Sequence, residues 1–274
     1  MVTRTSPEFG VIQGRLIQSP PGQLQWFPQD HWESEFFLAS AVGFRYIELL
    51  SERQRNAGNP IWSDDGITRI KELCAKNGLY LPALCNDFVI DHCLAKDRGA
   101  IAQTLDLIAR GQRLGIDRLV LPLFEASELT VDRFEEYKGV LRDVASAARE
   151  HDMVVCLETV LNGQEFLDLC EFLDHGNIKC VFDSGNNITA GHNIYRDIVT
   201  LGDRIVHFHI KDKDARNRNV LLGTGLVNFF RVFESLATIG YDGPYTFETD
   251  RGRNPTRTAV YNRTFIEYFI SESA

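Results

Sequence analysis

The chain has 274 residues and a mass of 31.1 kDa, and 44% of its residues are hydrophobic while 24% are charged. This composition is typical of a globular protein and excludes a chain that is disordered throughout. The net charge of −9 and the sequence pI of about 5.3 argue against a broadly basic surface. We therefore expect no nucleic acid and no membrane among the partners of this protein.

The cysteines indicate a reduced, cytoplasmic protein. They include no C-x-x-C pair, and several lie in apolar runs, where a thiol behaves as a small hydrophobic group. The first nine residues contain no apolar signal core, and no apolar run reaches the ~18 residues needed to cross a membrane. The six cysteines are Cys74, Cys85, Cys93, Cys156, Cys170 and Cys180.

Short apolar runs alternate with stretches that have helical spacing. The first run is followed by a long, proline-rich loop over 14–28, and loops of this length commonly serve a site. Asp30 and Glu33 then form a capping-box pattern, which predicts a helix with Trp32, Phe36 and Phe37 on its apolar face and an end at Gly43. The predicted strands are 9–13, 44–49, 79–85, 119–121, 154–158, 178–183, 206–212 and 244–248. The later helices are predicted over 63–77, 101–109, 134–148, 166–173, 195–201, 232–236 and 261–269.

Eight strand-then-helix units without a break in composition predict a closed (β/α)8 TIM barrel of the α/β class, formed as a single domain over residues 1–274. The length agrees with the ~250 residues that such a barrel usually takes. A doubly wound sheet is less favoured because no G-x-G-x-x-G sequence follows the first strand. Gly223-Thr224-Gly225 lies far from that position, and we interpret it as a turn before a helix.

Four predicted strands end in a polar side chain that is costly to bury without a partner: Glu158, Asp183, His209 and Glu248. Parallel strands of one barrel bring their carboxyl ends to the same mouth, so these groups are expected to converge. Three converging carboxylates repel one another unless a cation lies among them. Because the donors are mostly oxygen with one imidazole, we expect a divalent metal ion, Mn²⁺ first, with Mg²⁺, Co²⁺ and Zn²⁺ as alternatives.

Two further polar residues lie on these strands. His207 points to the same strand face as His209, one layer deeper, and we interpret it as a structural neighbour of the site. Glu48 also ends an apolar run, and it either orients a neighbouring group or binds substrate.

The expected chemistry is proton transfer next to a carbonyl. A metal ion would polarise the carbonyl of a sugar and stabilise an enediolate, while a carboxylate removes or returns a proton bound to carbon. Glu158 and Glu248 end strands three apart around the rim, so they could flank a substrate from opposite sides. One base would give isomerisation, and two opposed bases would permit epimerisation.

Basic residues in the loops after the last two strands are candidates for substrate contacts. Lys211 and Arg216 follow His209, and Arg251 and Arg253 follow Glu248. Each of them either lies in solvent or contacts a hydroxyl, carboxylate or phosphate group of the substrate.

These motifs together resemble the xylose isomerase-like TIM-barrel superfamily, specifically its sugar phosphate isomerase/epimerase members, over nearly the whole chain. The resemblance implies a metal held by Glu158, Asp183, His209 and Glu248, with the two glutamates acting as acid and base. The motifs that carry it are Gly10-Val11-Ile12-Gln13-Gly14-Arg15-Leu16, Leu157-Glu158-Thr159, Phe182-Asp183-Ser184-Gly185-Asn186, Val206-His207-Phe208-His209-Ile210-Lys211-Asp212, Gly223-Thr224-Gly225-Leu226-Val227-Asn228-Phe229 and Gly240-Tyr241-Asp242-Gly243-Pro244-Tyr245-Thr246-Phe247-Glu248.

The chain departs from the related ketose 3-epimerases at two substrate contacts. Asn186 stands where those enzymes carry a histidine that touches the substrate, and Ala215 stands where they carry an arginine, with Arg216 one residue further on. These departures argue against ketose 3-epimerase activity in particular and leave the metal ligands unaffected.

Other functions remain open from the residues alone. The first alternative is a lyase that dehydrates an inosose or a dehydroshikimate-like substrate, because enolate formation is common to both reactions. An abasic-site endonuclease would need more metal-binding histidines and a basic face, whereas the chain has seven histidines and a net charge of −9. A non-catalytic sugar-binding barrel is a third alternative. We expect a small sugar or polyol as the partner, and a homo-oligomer is left open.

Overall fold

A computed structural model describes residues 7–272 and confirms the TIM barrel. Eight parallel strands follow one another around the barrel in chain order, and the last strand pairs with the first. This closure leaves no sheet edge and brings the carboxyl ends of all strands to one mouth. The strands are β1 (Phe9–Ile12), β2 (Tyr46–Ser51), β3 (Ala83–Asn86), β4 (Arg118–Pro122), β5 (Val154–Glu158), β6 (Ile178–Asp183), β7 (Ile205–Ile210) and β8 (Tyr245–Phe247).

The helices cover the outside of the barrel, and none of those in the described part of the chain is long and apolar enough to cross a membrane. Most begin with a polar N-cap and three end at a glycine in the left-handed conformation, as for the helix that starts after Ser63 and ends at Gly78. The helices are α1 (Trp32–Val42), α2 (Asp64–Asn77), α3 (Phe88–Asp91), α4 (Arg98–Leu114), α5 (Phe134–Glu150), α6 (Gly163–Leu173), α7 (Ser184–Thr189), α8 (Ile194–Leu201), α9 (Phe229–Thr238) and α10 (Pro255–Glu272).

The predicted capping box at the start of α1 is wrong. The N-cap is His31, which makes no side-chain cap hydrogen bond. Glu33 instead accepts two hydrogen bonds from the guanidinium of Arg69 on α2, at 3.0 and 2.7 Å. The predicted apolar face is also shifted, because Phe36 is buried whereas the side chain of Phe37 is 66% exposed.

Two strand boundaries differ from the prediction. The third strand begins only at Ala83, because Pro82 lacks the N–H that a ladder needs, and Tyr80 before it forms an isolated bridge. The second strand continues to Ser51, so Glu48 lies within β2 and not at its end. The short helices α3 and α7, which follow β3 and β6, were not predicted.

The hydrophobic core has two parts that the barrel wall separates. The larger part lies between the strands and the helices, and the smaller part fills the barrel interior with residues such as Ile12, Leu50 and Val120. Gly10 makes room in this wall, because a Cβ at that position would lie 2.1 Å from Cδ2 of Tyr46. The ring of Tyr46 therefore fits inside the barrel because residue 10 has no side chain.

The substitution Gly10→Ala is expected to destabilise the protein by about 1–3 kcal/mol, because the new methyl group overlaps a fully buried ring that cannot move freely. Thermal unfolding should show a fall in Tm of about 3 °C or more. The control is Gly139→Ala on α5, where an added Cβ meets no atom within 4 Å. This control should match or slightly exceed the wild-type Tm, and equal values for both variants would contradict the packing argument.

Candidate active site

Four side chains meet at the mouth of the barrel. Glu158 and Asp183 are the last residues of β5 and β6, His209 is the penultimate residue of β7, and Glu248 directly follows β8. All four are buried, and each offers a ligand atom within 4.8 Å of those of the others. The Nδ1 atom of His209 lies 3.3 Å from Oε2 of Glu248 and 3.7 Å from Oε2 of Glu158. The strand ends thus bring together the residues that the sequence analysis selected.

This cluster fits a divalent metal ion. Nδ1 of His209 is buried without a hydrogen bond and faces the carboxylates of Glu158 and Glu248, and Oδ2 of Asp183 is buried beside the ammonium of Lys211. The ammonium of Lys211 lies 2.7 Å from Oε2 of Glu248 and 3.0 Å from Oδ2 of Asp183, so the cluster already attracts a positive charge. Three carboxylates with one imidazole are the donor set that Mn²⁺, Mg²⁺ and related ions accept.

Burial and mutual repulsion set the protonation of these groups. Burial, together with the charges of Asp183 and Glu248, raises the pKa of Glu158 to about 8 against the opposing effects of His209 and Lys211. Burial would also raise the pKa of Glu248, but Lys211 and His209 outweigh it and hold that pKa well below its usual range. Without a metal ion the cluster therefore keeps a proton on Glu158 near neutral pH.

His209 is oriented from below by Glu48. Oε2 of Glu48 lies 3.1 Å from Nε2 of His209 and 2.6 Å from Nε2 of His207. A carboxylate at Nε2 places the proton there and leaves Nδ1 free to face the cluster, which is how metal-binding histidines are commonly fixed. The contacts continue down the barrel, because Oγ1 of Thr246 lies 2.9 Å from Nε2 of His207 and 3.1 Å from the hydroxyl of Tyr46.

A cavity of about 580 Å³ opens above the cluster, and we call it the mouth cavity. Glu158, His209 and Glu248 line it, together with Asn186 and Lys211. The amide of Asn186 donates a hydrogen bond of 2.7 Å to Oε1 of Glu158. The other residues that line the mouth cavity include Gln25, Arg53, Cys85, Asp87, Glu125, Lys213 and Asn219.

The mouth cavity does not include three of the predicted substrate contacts. Glu48 is fully buried beneath His209, which fits an orienting role. Arg251 is buried beside the β1–α1 loop, where its Nε donates a hydrogen bond of 2.7 Å to the carbonyl of Gly14. Arg216 lies on the exposed part of the β7–α9 loop. Asn186 and Lys211 are the predicted substrate residues that do line the cavity.

Comparison with known proteins places this barrel in a family. A model described as xylose isomerase-like TIM barrel matches residues 36–267. The chain belongs to the xylose isomerase-like TIM barrel family. The L-ribulose-5-phosphate 3-epimerase of Salmonella typhimurium is 25% identical over 252 residues, which cover 86% of this chain and 89% of that protein.

Solved structures agree with this family fold. An L-ribulose 3-epimerase superposes with a TM-score of 0.77 at 18% identity and covers 98% of this chain and 96% of its own. A D-psicose 3-epimerase from Clostridium cellulolyticum H10, solved with D-tagatose, has a TM-score of 0.74 at 18% identity and covers 96% of this chain and 99% of its own.

The sequence analysis did not select two residues that reach the cluster from the β1–α1 loop. Arg15 lies 3.3 Å from Oε1 of Glu248, and the amide of Gln25 donates to the same oxygen at 3.1 Å. The long loop after β1 and the Gly14-Arg15-Leu16 motif of the family were the available signals for Arg15. Gln25 carried no local signal, because only the folding of the loop brings it to the barrel axis.

The buried side chain of Glu35 holds the start of the β1–α1 loop in place through hydrogen bonds. Both oxygens of Glu35 on α1 accept hydrogen bonds from the backbone N–H of Gly14, and one also accepts from Leu16 at 3.1 Å. Gly14 has a φ of +88°, and a Cβ there would lie 1.9 Å from the carbonyl oxygen of Trp26. Burial raises the pKa of Glu35 to about 7 against the opposing effect of these N–H groups.

Asp87, which directly follows β3, is a further residue that the sequence analysis missed, and it lies in the wall of the mouth cavity. Its Oδ1 accepts a hydrogen bond of 3.3 Å from the thiol of Cys85, and its Oδ2 is buried without a partner. Burial raises the pKa of Asp87 to about 7. A carboxyl group thus faces the cavity with one oxygen available to a ligand.

The glycines of Gly223-Thr224-Gly225 donate backbone hydrogen bonds to the buried carboxylate of Asp212. Oδ2 of Asp212 accepts hydrogen bonds from the N–H groups of Gly223 at 3.0 Å and Gly225 at 2.9 Å. Its Oδ1 accepts from Val227 at 3.1 Å. These N–H groups are therefore already paired, and the motif shapes the loop before α9.

The substitution Glu48→Gln is expected to weaken Mn²⁺ binding about 10–100-fold, because a neutral amide holds Nε2 of His209 less firmly than a carboxylate. Isothermal titration calorimetry would measure the affinity. The matched control is Glu33→Gln, which changes an exposed glutamate on α1 and should bind Mn²⁺ like the wild type. An unchanged affinity in folded Glu48→Gln would contradict the orienting role.

Mn²⁺ affinity should rise with pH through neutrality, because the cation competes with the proton on Glu158, whose pKa is raised to about 8, and with the proton on His209, whose pKa burial lowers but the neighbouring carboxylates raise more strongly. Below these pKa values the protonated forms dominate, so binding releases protons and the affinity falls about tenfold per pH unit for each proton released. Calorimetry in two buffers of different ionisation enthalpy counts the protons. Heats independent of the buffer near pH 7 would count against this assignment.

Proposed function

We propose that this protein is a divalent-metal-dependent epimerase or isomerase that transfers a proton at a carbon next to the carbonyl of a sugar or sugar derivative. One observation carries the proposal: Glu158 and Glu248 enter the same cavity from strands three apart around the barrel, and they share one cluster with His209 and Asp183. The named activities of the relatives, which are 3-epimerases of ribulose, its 5-phosphate and psicose, support the same class of reaction.

Glu158, Asp183, His209 and Glu248 would hold the metal ion, for which we propose Mn²⁺. A bound cation supplies polarisation of the substrate carbonyl and stabilises negative charge on its oxygen. One glutamate takes the proton from the carbon beside the carbonyl, and the other returns a proton from the opposite side. This gives inversion at that carbon, whereas return by the first glutamate to the neighbouring carbon gives isomerisation.

Other residues of the mouth cavity would position the sugar. The amide of Asn186 holds Glu158, and the same amide faces the cavity, where it can orient both the acid group and a hydroxyl of the substrate. Lys211 and Lys213 offer ammonium groups on the side of β7. Arg15 and Gln25 contact Oε1 of Glu248, whereas Lys211 contacts its Oε2, and these contacts restrict the movement of the carboxylate. We infer a small sugar as the partner and a cytoplasmic location.

Asp87 favours a dehydratase as the second candidate. Its unpaired oxygen lies in the cavity wall, and its raised pKa of about 7 keeps part of the population protonated at neutral pH. An acid at this position could protonate a departing hydroxyl group after the first proton transfer. The two candidates differ in their products. Dehydration removes a hydrogen atom and a hydroxyl group from the substrate as water, whereas epimerisation and isomerisation leave its composition unchanged.

The proposal is tested by solvent-deuterium incorporation into a panel of ketoses, their phosphates and inososes, with chelated enzyme and with enzyme reloaded with Mn²⁺. We expect exchange at a carbon next to the carbonyl only with the metal, read by NMR and mass spectrometry. Glu158→Gln and Glu248→Gln should each lower the exchange rate at least about 100-fold, because each removes one proton-transfer group.

The control for this experiment is Glu33→Gln, which should exchange deuterium at the wild-type rate. If an inosose loses water, and does not merely take up deuterium with its hydroxyl groups intact, the result would favour the dehydratase. Exchange that persists in both Glu158→Gln and Glu248→Gln would sink the assignment of the two glutamates.

A further inference from the structure

A second cavity adjoins the mouth cavity. It has a volume of about 500 Å³ and lies between the β1–α1 loop and the segment that follows β2, and we call it the loop cavity. Gln23, Gln25 and Arg53 line both cavities, so the two spaces are neighbours divided by these side chains. The volume of each lies within the range of about 300–1,000 Å³ that small-molecule sites occupy.

The residues that line the loop cavity suit a neutral, polar ligand that has one apolar face. It combines side-chain amides, which both donate and accept hydrogen bonds, with a tryptophan and with carboxylates. Only one cation, Arg53, is among its lining residues within the described part of the chain. The residues with amides are Gln23, Gln25, Gln29, Gln54 and Asn56, and the aromatic residues are Trp26 and Phe27.

Glu52 gives this cavity a carboxylate that is fixed in place. Its Oε1 accepts a hydrogen bond of 2.7 Å from the amide of Asn56, and its Oε2 accepts one of 2.8 Å from the amide of Asn59. The amide of buried Asn59 also donates to the carbonyl of Leu50 at 2.8 Å, which ties the group to β2. A carboxylate held by neutral amides keeps lone pairs for a pair of neighbouring hydroxyl groups.

The wall between the cavities touches the candidate active site. Gln25 donates a hydrogen bond to Glu248, so a ligand in the loop cavity lies one side chain from the cluster. Arg53 crosses the other side of the opening, with its guanidinium paired to Glu125 and 3.4 Å from Oδ1 of Asp91. A molecule that fills both cavities would contact Gln25 and Arg53 at its middle.

We propose that the loop cavity binds the second ring of a glycoside whose keto-sugar ring occupies the mouth cavity. This inference rests on the proposed function, and it extends that function from a free monosaccharide to a glycosylated keto sugar. Hydroxyl groups of the second ring pair with Glu52 and the amides, while the ring face packs on Trp26.

The charges in the loop cavity disfavour a phosphate group in the same place. Glu52 and Asp30 oppose the single positive charge of Arg53, which is itself paired with Glu125 and Asp91. A dianionic phosphate would face these carboxylates without a free cation, and like charges at short range cost binding free energy. A neutral sugar ring meets no such penalty.

The test compares D-fructose with isomaltulose, turanose and lactulose, which are glycosides of the same ketose, as substrates for deuterium exchange by the Mn²⁺-loaded enzyme. At least one glycoside should show a kcat/KM about tenfold or more above that of D-fructose. Glu52→Gln should lower this preference about tenfold, since a hydroxyl group donates a stronger hydrogen bond to a charged carboxylate than to a neutral amide. Glu33→Gln is the matched surface control and should keep the full preference.

Gln54→Ala serves as a second variant if Glu52→Gln does not fold, because the Gln54 side chain is partly in solvent and its removal leaves Asn56 and Asn59 in place. It should lower the preference for the glycoside in the same direction. Saturation-transfer NMR with isomaltulose should in parallel show that the glucosyl protons contact the protein, and that Glu52→Gln weakens this contact.

The outcomes separate the two proposals. Exchange of D-fructose with no preference for any glycoside would overturn the second-ring site and leave the proposed function intact. If no compound of the full panel exchanges, the proposed function fails, and the NMR experiment then decides the site by itself. Absence of glucosyl contacts in that experiment would overturn it.

Discussion

The repulsion among three buried carboxylates at the barrel mouth is the constraint on which the rest of the site depends. Glu158, Asp183 and Glu248 lie within one cluster, shielded from solvent, and such an arrangement requires positive charge or bound protons. Lys211 and His209 supply part of that charge, and Glu158 keeps a proton. Nδ1 of His209 still makes no hydrogen bond, and the ammonium of Lys211 is shared between Asp183 and Glu248, which is the physical reason to expect a further cation there.

The interior of the barrel supports this cluster with polar contacts as well as with hydrophobic packing. Glu48 joins His209 to His207, and Thr246 continues the chain of contacts to Tyr46 beside Gly10. Because Nε2 of His209 is hydrogen-bonded to the buried carboxylate of Glu48, which also holds His207, a rotation of the imidazole of His209 would break that bond inside the barrel. The strands therefore provide both the positions of the ligands and the stiffness that holds their orientation.

The loops add contacts to the cluster that the strand ends do not supply. The β1–α1 loop is shaped by Glu35 and Arg251, and it carries Arg15 and Gln25 to Glu248. The same loop forms one wall of the loop cavity. Under the proposed function, substrate choice would depend on loop residues while the proton-transfer groups stay on the strand ends, which is the usual division of roles in a TIM barrel.

The sequence by itself was sufficient for the barrel and for the four clustered residues, because strand periodicity and a polar residue at a strand end are local signals, and parallel closure converts them into one site. Tertiary structure decided what depends on distant partners. Glu33 pairs with Arg69 and so does not cap α1, and Glu48 lies within β2 beneath His209. Gln25 reaches Glu248 only through the folding of the β1–α1 loop, which no local pattern encodes. The amides of Gly223 and Gly225 turn to Asp212 for the same reason, since the loop before α9 brings them together.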